Sequence, residues 1–262
     1  MPDRRDLVDS LNVEQFTAQA AGFAAAPTIN DAAALAELVG LAGVGPADRV
    51  LDVACGPGIV SVHLAASGAE VVGIDLTPAM LALAVERVST SSERLRARFV
   101  RGHMHALPFD VGEFSVVVCR YALHHTDDPG AAAREMARVT RPDGRVVVID
   151  FAAVEDSAVA RAYDEVERLR DPSHVRNLTA LEQRRLFEPL GFVVQAATSY
   201  QLDVELEEVL ARSKGTDHEG VRRGFASSLE THGLGVGARR VNGSICYAFP
   251  VAGIRLVRSQ FG

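Results

Sequence analysis

The 262-residue sequence has only three cysteines, no long uncharged apolar run and no excess of positive charge. Cys55, Cys119 and Cys246 are odd in number and far apart, so they predict neither a disulfide framework nor a CxxC zinc site. A reducing cytoplasm is the expected location. The first ten residues lack the apolar core of a signal peptide. No segment reaches the roughly 18 uncharged apolar residues of a membrane span, so none is expected.

The charge balance argues against a polyanionic partner. The formal net charge is −7, whereas a nucleic-acid-binding surface needs a basic face. A hydrophobic fraction of 48% and a charged fraction of 23% are those of an ordinary soluble globule, and 262 residues suffice for a sizeable core. We expect a small-molecule partner, no nucleic acid, and a monomer or homodimer.

The middle of the chain alternates between two kinds of segment. Between Arg49 and Phe151, short apolar segments typical of buried strands alternate with helical segments. Helices are expected over 12–26 and 203–232, and Thr77 is expected to cap the helix that follows the second strand. A sixth strand is expected over 191–198 and a last strand over 244–254, the two pairing antiparallel. Continuous apolar strands joined by helices predict an α/β fold: a Rossmann-like, mostly parallel seven-stranded sheet with helices on both faces and a helical lid.

The stretch "VLDVACGPGIVSVHLA", residues 50–65, places a glycine turn at the end of the first strand. Gly56 and Gly58 let the backbone approach a ligand closely, and the helix that follows presents free amide groups. Asp75 ends the second strand, and an acid about 20 residues after such a turn suits the two hydroxyls of a ribose. The pattern predicts an adenosine-containing cofactor at the carboxyl ends of the strands.

Two residues distinguish between cofactors. Ser61 stands at the third glycine position of the GxGxxG pattern that accommodates a pyrophosphate, and Asp52 precedes the turn. A carboxylate repels a pyrophosphate and attracts a cationic amino group. These residues therefore favour S-adenosylmethionine, which carries adenosine at one end and an amino acid at the other, over a nicotinamide dinucleotide.

Four sequence blocks, in order, resemble those of a known family. VLDVACGPG, VVGIDLTPAML, RGHMHALPF and SVVVCRYALHHTDDP are similar to the motifs of class I S-adenosylmethionine-dependent methyltransferases. The resemblance is to the small-molecule type related to the ubiquinone and menaquinone C-methyltransferases (type 11), and it is clearest between Arg49 and Phe151. The cofactor-binding residues that it implies are Asp52, Ala54, Cys55, Gly56, Gly58, Asp75, Leu76, Met80, His103, Met104, Arg120 and Tyr121.

The resemblance also implies a contact for each block. Residues 54–58 would wrap the methionine portion, with Asp52 supporting the amino group, and Asp75 would take the ribose hydroxyls. Leu76 and Met80 would border the adenine and residues 103–104 would meet its edge. Residues 120–121 would flank the methionine tail. One departure stands out: this chain has His103 where relatives usually carry an acid that accepts from the adenine amino group.

Methyl transfer needs a base only when the acceptor must lose a proton. The candidate catalytic residues are His124, His125 and Tyr121, which follow the fourth strand, although the two histidines could equally pack against the lid. His103 and His105 could join the His pair as zinc ligands, but no carboxylates or outer partners are assigned to such a site, and no metal is expected.

We predict a methyltransferase that acts on a quinone, an aromatic compound or another secondary metabolite, with the methylated atom (C, O or N) left open. Two alternatives stay open. One is a protein that binds S-adenosylmethionine for a rearrangement or as a sensor. The other is an NAD(P)-dependent oxidoreductase, although no Tyr-x-x-x-Lys constellation is present. One domain is expected over 1–262: an N-terminal helical lid and first helix over 1–45, a cofactor-binding core over 46–151, a helical cap with the sixth strand over 152–235, and a C-terminal strand region over 236–262.

Overall fold

The computed structural model describes residues 4–213 and 217–259, so the outer ends of the first and last predicted segments, 1–3 and 260–262, lie outside it. The strands are β1 (Arg49–Val53), β2 (Glu70–Asp75), β3 (Ala97–Arg101), β4 (Phe114–Arg120), β5 (Thr140–Phe151), β6 (Phe192–Glu205), β7 (Arg239–Val241) and β8 (Ser244–Arg258). The α-helices are α1 (Arg4–Ala18), α2 (Ala20–Ala24), α3 (Ala32–Ala42), α4 (Ile59–Ala65), α5 (Pro78–Ser89), α6 (Pro129–Val139), α7 (Ser157–Arg170), α8 (Ala180–Arg185), α9 (Leu206–Arg212) and α10 (His218–Thr231). Short 3₁₀ helices cover Leu123–His125 and Glu188–Leu190.

The strands form one twisted sheet in the order β3-β2-β1-β4-β5-β8-β6. Strands β1 to β5 pair in parallel, whereas β8 is antiparallel to both β5 and β6. This arrangement confirms the mostly parallel, seven-stranded Rossmann-like sheet. Within the described residues one further strand is present, because the short β7 forms a hairpin with β8.

Both faces of the central strands β1, β2 and β4 are buried, as continuous apolar strands require. On one face, Val50 of β1 and Val116 of β4 pack with Leu38 of α3 and Leu64 of α4. On the other face, Leu51, Ile74, Phe114, Val117 and Met136 of α6 form a second cluster. Neighbouring residues of a strand point to opposite faces, so each strand feeds both clusters. The sheet is thereby held in place between two layers of helices.

Three predicted element boundaries are wrong in detail. The helix expected over 12–26 begins earlier, at Arg4, and breaks at Gln19, whose backbone leaves helical values (φ −104°, ψ 6°). No proline or glycine marks this break. The sixth strand extends to Glu205, because its long antiparallel pairing with β8 continues past the apolar segment. Residues 203–205 therefore belong to a strand rather than to the helical stretch expected over 203–232.

The sheet order reverses between β1 and β4, and this switch point is where open α/β sheets bind ligands. The glycine turn after β1 leads directly into α4, whose N-cap is Gly58. Gly56 and Gly58 have φ values of 51° and 75°, in the left-handed region that favours glycine. A Cβ atom at Gly58 would also lie 2.8 Å from the Ala84 Cβ and 3.2 Å from the Phe99 ring. The turn therefore presses against α5 and β3.

None of the helices in the described ranges is of the length and apolar character that a membrane crossing requires.

We predict that Gly58→Ala destabilises the fold more than Gly56→Ala does. Both substitutions place a side chain in the left-handed region, at a cost of about 1–2 kcal/mol. Only the first also overpacks the contact with Ala84, which adds about 1–3 kcal/mol. At Gly56 the nearest atom, on the Phe23 ring, is 3.9 Å away. The free energy of unfolding in urea measures the difference, and equal losses in the two variants would contradict the tight contact.

Candidate active site

A cavity of about 1030 Å³, including its solvent-open mouth, lies at the carboxyl ends of β1, β2 and β4. The predicted cofactor-binding residues that line it are Asp52, Ala54, Cys55, Gly56, Asp75, Leu76, Met80, His103, Met104, Arg120 and Tyr121. Of the catalytic candidates, His125 and Tyr121 line it. Gly58 and His124 are not among the lining residues. The sequence blocks, which are far apart in the chain, are thus brought to one place by the parallel sheet.

Asp75 shapes the glycine turn as well as facing the cavity. Its carboxylate accepts a hydrogen bond from the Gly56 amide at 2.9 Å and another from the Thr77 amide at 2.8 Å. Burial raises the pKa of Asp75, against the lowering effect of these bonds. A carboxylate offers about four acceptor positions, so capacity remains for a ligand. The side chain of Thr77, expected to cap α5, makes no cap hydrogen bond.

Asp52 is a buried carboxyl held by one hydroxyl. The Ser61 Oγ donates to the Asp52 Oδ2 at 2.6 Å, so the residue at the third glycine position supports the acid. Burial raises the pKa of Asp52 to about 7, with the Ser61 hydrogen bond opposing it. The nearby Asp75 raises this pKa further, and Arg120 lowers it. A positively charged ligand group beside Asp52 would stabilise its ionised form.

Arg120 is a buried cation without an anionic partner among the described residues. Its Nη1 donates to the Ile29 carbonyl at 3.0 Å, and its guanidinium lies 4.2 Å from the centroid of the Tyr121 ring. The Nε and Nη2 groups are buried and make no hydrogen bond. Buried charges are normally paired, because desolvation is costly. Since Arg120 lines the cavity, its unused donors fit an anionic group of a ligand.

Burial also raises the pKa of the Cys55 thiol, so this residue is held in its protonated form.

Ala54 and Tyr121, which follow β1 and β4, both have positive φ values of 55° and 53°. Backbone strain of this kind concentrates at functional sites, and here it lies on two walls of the cavity. The Tyr121 hydroxyl is 2.8 Å from that of Tyr200, and its ring stacks on Phe151 at 4.6 Å. Burial raises the pKa of Tyr121.

The N-terminal helix α1 covers the cavity through contacts that sequence reasoning missed. Asp9 lies 2.9 Å from the His103 Nε2, and the Asn12 Nδ2 donates to the His125 carbonyl at 3.0 Å. The Phe16 ring packs edge-on against His125, with centroids 4.9 Å apart. A carboxylate is therefore present at this place in the site, but Asp9 of helix α1 supplies it rather than residue 103 itself. Nothing in the spacing of Asp9 could have linked it to a residue 94 positions away.

The two histidines after β4 have separate partners. The His124 Nδ1 is 2.6 Å from Asp150 at the end of β5, and its ring is buried. The His125 Nδ1 faces Ser173, in the loop that follows α7. Burial, followed by the nearby His124, lowers the pKa of His125 to about 3, against an opposing effect of Asp171. His125 is therefore neutral, with one ring nitrogen free to act as an acceptor.

His105 follows the lining residues His103 and Met104 but does not itself line the cavity. Its Nε2 is 2.6 Å from the Thr126 hydroxyl, and burial lowers its pKa. In the part of the chain that the structure describes, no three His, Cys, Asp or Glu side chains are arranged to hold a metal ion. Each histidine near the cavity instead has its own hydrogen-bond partner.

Comparison with known proteins agrees with this geometry. Residues 51–148 match the family described as a methyltransferase domain. The chain is 32% identical over 164 residues to an uncharacterized methyltransferase, YcgJ, of Bacillus subtilis, a match covering 63% of this chain and 64% of that protein. It is 40% identical over 122 residues to the demethylmenaquinone methyltransferase of Mycolicibacterium gilvum, covering 47% and 50%. The chain thus spans about half to two thirds of the length of these relatives.

Solved structures extend the likeness beyond the motifs. The crystal structure of YcgJ superposes with a TM-score of 0.79 at 26% identity, covering 87% of this chain and 99% of that one. The [4+2]-cyclase SpnF shares the fold alone, with a TM-score of 0.63 at 17% identity, covering 88% of this chain and 81% of that one. The family match, the four ordered motifs and the sheet order together show that residues 51–148 of this chain form a domain of the methyltransferase family.

Proposed function

We propose that this chain transfers a methyl group from S-adenosylmethionine to a small-molecule acceptor. One observation carries the proposal: a buried carboxyl and a buried guanidinium line the same cavity, and among the described residues neither forms an ion pair. Asp52 is held only by Ser61, and two donors of Arg120 are unused. The amino group and the carboxylate of a methionine chain fit these two side chains.

The rest of the cavity supports an adenosine at the other end. Asp75, with acceptor capacity left over, suits the ribose hydroxyls, and Leu76 and Met80 offer an apolar border to a base. His103, paired with Asp9, stands at the edge where the adenine amino group would lie. A pyrophosphate would instead bring negative charge towards Asp52, which disfavours a dinucleotide.

Bound S-adenosylmethionine would supply a methyl group already activated on a sulfonium. The protein then needs to align the acceptor and exclude water. The lid is suited to exclusion, since Phe16 and Phe23 line the cavity and pack edge-on, with centroids 5.5 Å apart. Residues 4–45 would serve as the lid and first helix, 46–151 as the cofactor-binding core, 152–235 as the cap and 236–259 as the closing strands.

The acceptor side of the cavity is aromatic. Phe16, Tyr121 and His125 line it, and they favour a flat, apolar acceptor such as a quinone or another aromatic metabolite. The demethylmenaquinone methyltransferase relative supports the same class. The proposal places the reaction in secondary metabolism. It also includes a cytoplasmic location, because the three cysteines are free thiols, as in a reducing compartment. It also includes the absence of a nucleic-acid partner, and a monomeric or homodimeric state.

One alternative keeps the cofactor and changes the reaction. A protein with the same fold, the cyclase SpnF, is named for a ring-forming reaction, so a rearrangement or a sensing role stays open for this chain. Turnover separates the two: the protein is incubated with S-adenosylmethionine and a panel of quinols, phenols and geranyl diphosphate. Release of S-adenosylhomocysteine with a methylated product supports methyl transfer. Tight cofactor binding with product that lacks the methyl group would favour the alternative.

We predict that Arg120→Met weakens S-adenosylmethionine binding by at least tenfold, as expected for loss of a charged hydrogen bond of about 1.5–3 kcal/mol. Without the cofactor, the variant should be no less stable than wild type, because the substitution removes an uncompensated buried charge. Calorimetric titration and urea unfolding measure the two quantities. Arg98→Met, at an exposed arginine of β3, is the matched control. Unchanged affinity in Arg120→Met would contradict the assignment of Arg120 to the carboxylate.

We also predict that S-adenosylmethionine binding is linked to ionisation of Asp52. The folded carboxyl has a pKa of about 7, whereas an ordinary aspartate carboxyl has a pKa of 3.8. Between these values the folded state holds an extra proton, so this group's contribution to stability falls as pH rises. A cationic amino group would displace that proton. Affinity should therefore rise between about pH 6 and 7.5, with up to one proton released.

The proton count is measured by calorimetry in two buffers of different ionisation enthalpy. Asp52→Asn should bind more weakly, and its affinity should not change with pH over this range. Asp75 and Arg120 are the other charged groups that face Asp52, and both remain in the variant. Proton uptake by wild type, or the same pH dependence in Asp52→Asn, would exclude Asp52 as the amino-group ligand.

A further inference from the structure

The tautomer of His125 follows from its surroundings. Its Nδ1 is 3.2 Å from the Ser173 carbonyl oxygen and 3.1 Å from the Ser173 Oγ. A carbonyl oxygen can only accept a hydrogen bond, so this contact favours a proton on Nδ1. In a neutral imidazole the other nitrogen, Nε2, then holds the free lone pair.

Asp171 fixes the direction of the serine hydroxyl. The Ser173 Oγ donates to the Asp171 Oδ1 at 2.5 Å, and the Ser173 amide donates to the same oxygen at 3.0 Å. Both residues are buried, at 2% and 3% exposure. Because its own proton points at the carboxylate, the hydroxyl can only accept from His125. Asp171, Ser173 and His125 thus form a hydrogen-bonded chain, which we name the relay.

The far end of the relay opens on the cofactor cavity. His125 lines that cavity together with Thr126 and Tyr121. Within residues 4–213 and 217–259, the Nε2 of His125 makes no hydrogen bond to the protein. The Phe16 ring lies against the imidazole on the lid side, and Asn12 holds the His125 backbone through its carbonyl. Phe16 therefore contacts the imidazole ring and Ser173 holds its Nδ1, while the lone pair of Nε2 is left for a ligand.

The other candidates for a base are already engaged. His124 is tied to Asp150 and does not line the cavity, and the Tyr121 hydroxyl is paired with Tyr200. Burial raises the pKa of Tyr121, which makes its ionised form unfavourable. Of the three residues that the sequence indicated, His125 alone combines a free acceptor nitrogen with a place on the cavity wall.

We propose that Asp171 and Ser173 are positioning residues that hold His125 in its Nδ1–H form, so that Nε2 takes a proton from the acceptor during methyl transfer. The acceptor class follows: a nucleophile whose attacking atom carries a proton, such as the hydroxyl of a phenol or quinol. This inference rests on the proposed function. It adds a role for residues 171–179 between α7 and α8, which we name the cap loop and which supply both positioning residues.

The reaction balances without a further reagent. The O–H proton of the acceptor moves to the His125 Nε2, and the oxygen electron pair forms a bond to the methyl carbon. The carbon–sulfur bond breaks with its pair on sulfur, giving S-adenosylhomocysteine. The imidazolium forms as the sulfonium charge disappears, and it later loses its proton to water. The negative charge of Asp171 favours the imidazolium while it exists.

The groups facing His125 come from several elements. His124 stands 4.2 Å away and His174, in the cap loop, 6.4 Å away, measured between ring centroids. Asp171 is the carboxylate that raises the pKa of His125, and the lid adds only Phe16 and Asn12 at this ring. Burial and the two neighbouring histidines thus keep His125 neutral, which is the form that accepts a proton, but they also weaken it as a base, and Asp171 opposes that effect.

Nitrogen NMR of ¹⁵N-labelled protein, without cofactor or acceptor, tests the relay directly, with His125→Gln used to assign the signals. Wild type should show His125 as a single Nδ1–H tautomer between pH 5 and 8. Asp171→Asn frees the serine hydroxyl to donate to Nδ1, and Ser173→Ala leaves only the 3.2 Å contact with the backbone carbonyl to favour the Nδ1 proton. Both variants should therefore show a smaller share of the Nδ1–H tautomer than wild type. The exposed-site controls Asp143→Asn and Ser227→Ala should leave the His125 signals unchanged. An Nε2–H tautomer in wild type would overturn the proposal, as would an unchanged tautomer in both relay variants.

Kinetics then test the role, using the panel acceptor that wild type methylates. His125→Gln should lower kcat by about 100-fold, within the range for a lost base, and the relay variants by about tenfold. KM for S-adenosylmethionine should stay within about twofold, because none of these groups binds it. Loss of folding is checked by thermal unfolding, and the exposed-site controls should keep full kcat. Unchanged kcat in His125→Gln would exclude it as the base.

The two proposals fail in different ways. If S-adenosylmethionine does not bind to wild type, the proposed function is wrong whatever the tautomer of His125. If it binds, but the Nδ1 of His125 is unprotonated, the relay is wrong and the function stands.

Discussion

The proposed site depends on a buried carboxyl and a buried guanidinium that line one cavity and form no ion pair among the described residues. Asp52 accepts a hydrogen bond from the Ser61 hydroxyl, and Arg120 donates to the Ile29 carbonyl and lies over the Tyr121 ring. Ordinary packing would have paired or excluded such groups, since an isolated buried charge is costly. A ligand with its own separated charges removes this cost on both sides. The glycine turn, the switch point and the lid are all arranged around this pair.

Helix α1 and the loop after α7, which belong to the proposed lid and cap, both reach the turn that follows β4. Helix α1 brings Asp9 to His103 and Asn12 to the backbone of His125. The cap loop brings Ser173 to the other side of the same imidazole. The 3₁₀ turn over Leu123–His125 is therefore the point where the end of β4, helix α1 and the loop after α7 meet.

The fold and most of the cavity wall could be predicted from the sequence, because both depend on local patterns. Apolar strands, Gly56 and the acid at Asp75 are read from spacing alone, and the parallel sheet then brings their ends together. The partners of these residues could not be predicted in the same way. Asp9 and Ser173 reach the site through tertiary packing over long separations, and helix α1 breaks at Gln19 without a proline or glycine. The role of Ser61 as a support for Asp52 likewise needed the geometry.

The most direct test of the central claim is calorimetric titration of the purified chain with S-adenosylmethionine, with NAD as the comparison. The two buried charges predict micromolar binding of S-adenosylmethionine and no heat with NAD, since only the first offers an amino group to Asp52 and a carboxylate to Arg120. Binding of NAD with no response to S-adenosylmethionine would contradict the account, because a dinucleotide pyrophosphate would then be sitting beside a carboxyl that should repel it.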